Sequence, residues 1–533
     1  MRKKWWKESV FYEIYMPSFK DGNNDGIGDF KGITSKLEYL SDLGIRGIWL
    51  TPFYPSPKVD NGYDISDYYN IDKDYGTLED FNEFLNKAHS LGIKVIVDIV
   101  LNHTSSEHPW FKESRKSKDN EKRDFYIWKK EKPNNWESFF GGEAWEYDEL
   151  TKEYYYHAFA KEQVDLNWSN PKVYDAMKDV LKYWIDLGVD GFRFDVINFL
   201  TIKNDLAQDN PYDEKGEQIH KYDKDQEGII EIIKTLVKDI REIKEDVFLV
   251  GEVGSEDLNE LKSYSGKDLL DVVFNFNLGS IDEFSAEKIY KEIKNMNDNY
   301  DSYQIPTIFF NSHDMGRSIS RFNPDGNKNG IEKAVAALLL TSYGVPFMYF
   351  GEEIGMKDLV CLDINKMNDI QGVTKYNIEI SNGKTQEEAL ISANKSSRDK
   401  SRSPMQWNNS KFYGFSNTMP WINIEDKNDN ELVEKQIKEE GSLINLYKDL
   451  IKIRYKNDTL LYGKYANLSF DYGVLIMERE LNNETIRTVI NFGDNECIEN
   501  NTEEIIYSNI KVQEKRTLGK FDFIIQRYKT TTN

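Results

Sequence analysis

The sequence predicts a (β/α)8 TIM barrel with an inserted subdomain after its third strand and a C-terminal antiparallel β-sandwich. Three observations carry that expectation. Eight short apolar runs recur through the first 350 residues, amphipathic segments lie between them, and after about residue 460 the pattern turns to hairpins. Runs that are apolar throughout, rather than alternating, belong to strands covered on both faces. Strands alternating with helices build parallel βα units, and eight such units close a barrel.

The strands are predicted over FYEIYMPSF (11–19), GIRGIWLTPF (44–53), KVIVDIVLNH (94–103), GFRFDVIN (191–198), VFLVGEV (247–253), VVFNFN (272–277), PTIFFNSHD (306–314) and PFMYFGEE (346–353). A helix over 77–92 places Phe81, Phe84, Leu85, Ala88 and Leu91 on one face. Thr77 and Asp80 form its capping box and Gly92 its stop. A second, over 169–188, starts near Pro171, buries Val173, Met177, Val180, Leu181 and Trp184, and ends at Gly188.

The third and fourth strands lie about 90 residues apart, far more than one helix and its loops need. Residues 104–168, polar and aromatic, are therefore read as the inserted subdomain, and residues 1–103 and 169–460 as the barrel. Residues 461–533 are read as the sandwich. There VLIMEREL (474–481) and TIRTVINF (485–492) flank Asn482-Asn483, and EEIIYS (503–508) and FDFIIQRY (521–528) follow.

Composition narrows the ligand. A net charge of −23 argues against nucleic acid and against anionic membrane surfaces. An aromatic content of 14% suits stacking against flat apolar ligand faces. The two cysteines, Cys361 and Cys497, make no disulfide framework. No apolar run reaches the roughly 18 residues of a membrane span. Lys7 and Glu8 interrupt the start before a signal-peptide core forms. The expectation is a soluble cytoplasmic protein with a small neutral or cationic ligand; the oligomeric state stays open.

DGNNDGIGD (21–29) sets Asp21, Asn23, Asp25 and Asp29 at positions 1, 3, 5 and 9 of a tight loop, with the Ile27 carbonyl available at 7. That is nearly the loop of a calcium-binding EF-hand. Position 12 is Gly32, so the bidentate Glu is missing, and the flanks are not paired helices. A structural cation is expected, calcium or magnesium, and not a sensor. The alternative is a solvated turn, since Asp, Asn and Gly are turn residues anyway.

Barrel enzymes carry their chemistry at the C-terminal ends of the strands. Those ends hold Asp60, Tyr63 and Asp64 after the second; Asp98, Asn102 and His103 on the third; Arg193 and Asp195 on the fourth; Glu252 on the fifth; His313 and Asp314 on the seventh; Glu352 and Glu353 on the eighth. Carboxylates from the fourth, fifth and seventh strands would converge on one cavity. Two carboxylates facing a glycosidic bond can cleave it, one attacking the anomeric carbon and one protonating the leaving oxygen. Arg193, two residues before Asp195, points to the same side and would hold it ionised.

At this point the motifs DIVLNH (98–103), QVDLNW (163–168), GFRFDVIN, VGEV (250–253) and SHD (312–314) resemble, in order and spacing, those of the α-amylase superfamily, glycoside hydrolase family thirteen. The oligo-1,6-glucosidase and α-glucosidase group is the nearest in pattern, over nearly the whole chain. The resemblance implies Asp195 as nucleophile, Glu252 as general acid and base, and Asp314 as the ligand of the sugar's 2- and 3-hydroxyls. His103 and His313 would bond the same glucose and Tyr63 would stack under it. Asp60 with Arg398 or Arg402 would close the far end. Phe140 and Phe159 would line the wall or simply fill the subdomain core.

Val196, after the nucleophile, tends in that group to accompany α-1,6 activity. The implied enzyme is a retaining exo-α-glucosidase acting on short α-1,6-linked oligosaccharides, with calcium in the first loop. Rival readings are a trehalose-6-phosphate hydrolase, an α-1,4-glucosidase, a sucrose-active or transglycosylating relative, and a non-catalytic amylase-like binding protein. The chain departs from the group at IYMPSF (14–19), VFNFNLGS (273–280), SHDMGR (312–317) and YFGEE (349–353); the changes at VFNFNLGS and SHDMGR would touch the leaving-group side.

Overall fold

Eight parallel strands encircle the computed structural model, which describes residues 4–202, 206–422, 424, 431–499, 504–510 and 516–529. They are β1 (Phe11–Ile14), β2 (Gly47–Leu50), β3 (Lys94–Val100), β4 (Gly191–Asp195), β5 (Phe248–Glu252), β6 (Val272–Phe274), β7 (Thr307–Ile308) and β8 (Val345–Tyr349). Hydrogen bonding runs β6-β5-β4-β3-β2-β1-β8-β7. The remaining seam, β6 to β7, is bridged by one side chain. The Thr307 hydroxyl donates to the Val273 carbonyl at 2.9 Å and accepts from the Asn275 amide at 3.2 Å. The seventh strand is shorter than the predicted 306–314: beyond Ile308 the chain stays out of the ladder and runs into the barrel mouth.

The barrel interior is layered. At the bottom Trp6 stacks on Phe248, Phe248 on Phe11, and Phe11 on Phe347, with centroids 5.2, 5.0 and 4.8 Å apart. Gly47 makes room for them, since a Cβ there would sit 2.6 Å from the Phe11 ring. Such aromatic packing excludes water, so the polar layer above it rests on a dry floor. That layer holds Glu13, Asp98, Arg193 and His313, all buried.

The helices begin and end where their caps dictate. Helix α1 (Phe30–Leu43) starts at Asp29, whose carboxylate accepts from the Gly32 amide, and stops at Gly44 with φ 98°. Helix α2 (Leu78–Ser90) has the Thr77–Asp80 capping box, and α3 (Pro171–Leu187) ends at Gly188 with φ 109°. Both carry their predicted apolar faces inward.

Between β3 and β4, a three-stranded antiparallel sheet forms from Trp128–Lys129, Trp145–Asp148 and Glu153–Tyr156. His103–Ser105 pairs with Gln163–Asp165 and ties this region to the end of β3. After β8, a helical hairpin that the sequence reading did not identify, Ile370–Ser381 with Gln386–Ser396, stands over the barrel mouth. C-terminal residues form a five-stranded antiparallel sheet and a two-stranded one, Cys497–Glu499 with Arg516–Leu518. Asn482 and Asn483, with φ 49° and 65°, make the tight turn between Val474–Leu481 and Glu484–Asn491. Glu503, in the strand predicted over 503–508, lies outside the described residues.

Candidate active site

A cavity of about 190 Å³ opens at the C-terminal ends of the strands, lined by Asp60, Tyr63, His103, Phe140, Phe159, Gln163, Asp195, Val196, Glu252, Asp314, Gln371 and Arg398. Its floor is organised by one guanidinium. Arg193 lies opposite Asp98 in the β3–β4 register. Its Nη1 donates to Asp98 Oδ1 at 2.9 Å and to Asp195 Oδ1 at 2.6 Å, and its Nη2 to Glu252 Oε2 at 2.5 Å. Two residues along a strand return a side chain to the same face, so Arg193 and Asp195 point together.

Three carboxyls therefore share one cation. Burial pushes the Asp195 carboxyl well up, against Arg193, and the Glu252 and Asp98 carboxylates add to the rise. Burial also raises Asp98, to about 6, with Arg193 opposing it. Like charges packed this closely raise the cost of ionising one another. Trp49 Nε1 at 3.2 Å and the Tyr63 hydroxyl at 3.1 Å also donate to Asp98 Oδ2.

Val196 departs from ordinary backbone geometry, with φ 38° and ψ 46°. A β-branched residue in the left-handed region is strained by about 1–3 kcal/mol. The conformation aims the Val196 amide at Glu252 Oε2, 3.3 Å away. Arg193 and Val196 thus donate to the same Glu252 oxygen.

The end wall is a second ion cluster. Arg398 Nη2 reaches Asp60 Oδ1 at 2.5 Å, and its Nε reaches Asp369 Oδ1 at 2.8 Å. Gln163 donates to Asp60 Oδ2 at 3.1 Å. Arg402 is fully buried behind the wall, donating to Asp314 Oδ1 at 3.2 Å and to the His313 carbonyl at 2.9 Å. Of the two arginines left open by the sequence, Arg398 faces the cavity. Burial raises the Asp314 carboxyl, but His313, Arg398 and Arg402 outweigh it and hold it down at about 2. Burial lowers His103 to about 3, and its Nε2 lies 3.2 Å from the Tyr63 carbonyl.

Phe140 and Phe159 are placed in both predicted settings: they line the cavity and also pack with Trp136 and Phe199. Other strand-end acids turn elsewhere. Asp64 accepts the Val59 and Asp60 amides and so shapes the loop that presents Asp60. Glu353 accepts from Tyr12 and Tyr39, and Glu352 from Tyr447, away from the cavity. The sequence reading missed Glu13, Gln163, Asp369 and Gln371 as site residues. Glu13 had a signal, as a lone acid inside an apolar strand; Asp369 and Gln371 had none.

The loop 21–29 sits outside this cavity. Asp21 accepts the Asn23, Asn24 and Gly26 amides, and Asp29 those of Gly22, Asn23 and Gly32. Asp25 accepts the Ile27 amide. Among the described residues no group of three or more His, Cys, Asp or Glu is arranged to hold a metal ion. No helix among them is long and apolar enough to cross a membrane.

This geometry meets its counterpart in known proteins. Residues 13–463 match the alpha amylase catalytic domain. The chain is 38% identical to an oligo-1,6-glucosidase of Bacillus cereus, over 96% of this chain and 95% of that one. The structure resembles the trehalose-6-phosphate hydrolase of Bacillus licheniformis (34% identity, TM-score 0.88, covering 98% of this chain and all of that one). It also resembles the trehalulose synthase of Pseudomonas mesoacidophila (32% identity, TM-score 0.91, covering 99% and all). The chain belongs to the α-amylase family of glycoside hydrolases.

Proposed function

We propose that the protein is a retaining, exo-acting α-glucosidase that releases terminal α-1,6-linked glucose from short oligosaccharides. The observation that carries this is the convergence of Asp195, Glu252 and Asp314 on one cavity whose far end is shut by Arg398 and Asp60. A closed end admits a chain terminus and not a chain interior.

The chemistry follows from the placement of the two carboxyls on one guanidinium. Asp195 and Glu252 lie against each other on the same guanidinium. That closeness supports the retaining course over the inverting one. Asp195 attacks, the glycosidic C–O bond breaks, and Glu252 protonates the leaving oxygen. Glu252 then takes a proton from water, which cleaves the glucosyl ester and restores Asp195. Asp314, held ionised, accepts hydrogen bonds from the sugar's 2- and 3-hydroxyls.

The α-1,6 preference rests on Val196 and on the name carried by the Bacillus cereus relative. A phosphotrehalose hydrolase or a sucrose-converting reaction is the competing outcome, given the structural neighbours. Glucose release from isomaltose, maltose, panose, sucrose, trehalose and trehalose-6-phosphate decides among them. Isomaltose and panose should lead; trehalose-6-phosphate in first place would replace this reading. Asp195→Ala and Glu252→Gln should each abolish turnover, and activity retained in either refutes the roles given.

A structural cation in loop 21–29 and a cytoplasmic location are part of the same reading. The donors, Asp21, Asn23, Asp25, Asp29 and the Ile27 carbonyl, are all oxygens, as a hard cation requires. Asp21 Oδ2, Asp25 Oδ1 and Asp29 Oδ1 each accept one N–H and keep a lone pair for an ion.

A further inference from the structure

One carboxylate in the cavity wall does not do what its place in the chain calls for. Asp369 is the N-cap residue of the helix Ile370–Ser381. A carboxylate there ordinarily accepts an amide from its own first turn. Asp369 makes no such bond. Both its oxygens go to Arg398 instead. Oδ2 accepts the Arg398 backbone amide at 2.9 Å, and Oδ1 accepts Nε at 2.8 Å and Nη2 at 2.5 Å. The same Nη2 reaches Asp60 Oδ1 at 2.5 Å. Asp369 thus holds the guanidinium from behind while its tip meets Asp60.

What holds Asp369 in that posture is Asp399. Its Oδ2 accepts the amides of Asn368 and Asp369, at 2.7 and 3.1 Å. Its own amide donates to Ser397 Oγ at 3.2 Å, which fixes it in turn. Two pairs of neighbours therefore clasp each other: 368–369 at the start of the hairpin and 398–399 behind it. Every donor in the clasp is a backbone or guanidinium N–H, and every acceptor is a carboxylate or hydroxyl oxygen, so the direction of each bond is settled.

The packing agrees. Asp369 and Asp399 are both buried. Gly372, one turn into the helix, lies so close to the other segment that a Cβ there would sit 2.7 Å from Ser397 Cβ. The two segments meet with no slack, so a shift at Asp399 is passed on to Asp369. Asp399 itself is not among the residues that line the cavity, whereas Arg398 is. Any effect it has on a bound sugar must run through its neighbours.

We propose that Asp399 is a positioning residue for the end wall: by holding the amides of Asn368 and Asp369 it keeps the Asp369 carboxylate on Arg398, and so keeps the guanidinium turned to Asp60. The effect on turnover rests on the glucosidase reading; the clasp does not. Asp399→Leu removes the acceptor at similar size. Asp399→Asn keeps an oxygen for both amides, and Asp399 Oδ1 has no hydrogen-bond partner among the described residues to lose.

The test is a double-mutant cycle with Arg398→Ala, read as kcat/KM on isomaltose. Asp399→Leu alone should cost on the order of tenfold, because a misplaced binding group is expensive. Asp399→Asn should stay within about twofold of the unmodified protein. In the Arg398→Ala background no guanidinium is left to position, so Asp399→Leu should change kcat/KM by no more than about twofold. A residue that only stabilised the fold would cost the same in both backgrounds. Equal losses in the two backgrounds, no loss in Asp399→Leu, or an equal loss in Asp399→Asn would each overturn the proposal. If Asp399→Leu does not fold, Gly372→Ala, which presses on Ser397 from the other side, takes its place in the cycle, and equal losses again overturn it. If the unmodified protein releases no glucose from any substrate, the function fails, and the same cycle run on urea midpoints decides the clasp: losses that simply add refute it.

Discussion

Asp60 and Arg398 meet at 2.5 Å across 338 residues of sequence, and both are nearly buried. The same guanidinium holds Asp369, so Arg398 joins the loop after β2 to the segment before the helical hairpin. Removing it leaves two carboxylates in a dry wall with only Arg402 nearby, 3.9 Å from Asp369. Losing one partner of a buried pair costs about 3–5 kcal/mol. Arg398→Ala should therefore lower the urea midpoint and reduce kcat/KM on a disaccharide by about a hundredfold or more. Arg398→Lys, which keeps the charge but not the fork, should fall between. Undiminished turnover in Arg398→Ala would mean that the wall does not bind the terminal sugar.

Val196 offers a separation of backbone from side chain. Val196→Ala keeps a Cβ, so the left-handed strain and the amide bond to Glu252 persist. Only the branched side chain at the cavity edge shrinks. The ratio of maltose to isomaltose turnover should rise while the pH profile stays in place. An unchanged ratio would assign bond preference elsewhere, and a shifted profile would show that the backbone moved.

The barrel was legible because its strands are covered on both faces. A run such as KVIVDIVLNH is continuous only when no face meets water. Arg193 and Asp195 were legible as a pair because strand spacing returns them to one side. Glu13 was harder: period two places it inside the barrel but gives no height along the axis, and only the fold brings it to His313, 300 residues away. Asp369 and Gln371 were not legible at all. Gln371 lines the cavity and Asp369 bonds Arg398 in its wall because the hairpin packs over the mouth, and nothing local in NDIQGV encodes that docking. Glu352 and Glu353 show the reverse error. Their position at a strand end suggested the site, yet Gly351, with φ 81°, turns the chain and sends both toward buried tyrosines.

The cation proposed for loop 21–29 would act on stability alone. The loop is tied to a distant segment by the Asp21 amide on the Phe415 carbonyl and by Thr418 on the Asn24 carbonyl. Chelation should lower Tm, by about 2–4 °C per kcal/mol of binding lost. Added calcium should restore it, and the ranking of substrates should not change. Calorimetric scans with and without chelator measure this, and coincident scans would remove the ion from the account.

Asp190 gives a pH test far from the chemistry, at the N-terminal face of the barrel. It is 2% exposed, accepts the Val95 amide at 3.0 Å, and faces Lys94, Lys244 and His89 at 2.9, 3.3 and 2.6 Å. Burial would raise its carboxyl, but the bond from His89, the Lys244 charge and the Val95 amide outweigh it and bring it down to about 2. A carboxyl held below its unfolded value of about 3.9 adds stability that is fully present above that value. The gain is lost as pH falls through the folded value. A depression of that size corresponds to about 2.5 kcal/mol. Asp190→Asn should therefore lower the urea unfolding midpoint at neutral pH, and the gap from the unmodified protein should narrow as pH drops from about 5 toward about 2. A gap that stays constant over that range would show that Asp190 contributes through its hydrogen bonds and not through its charge.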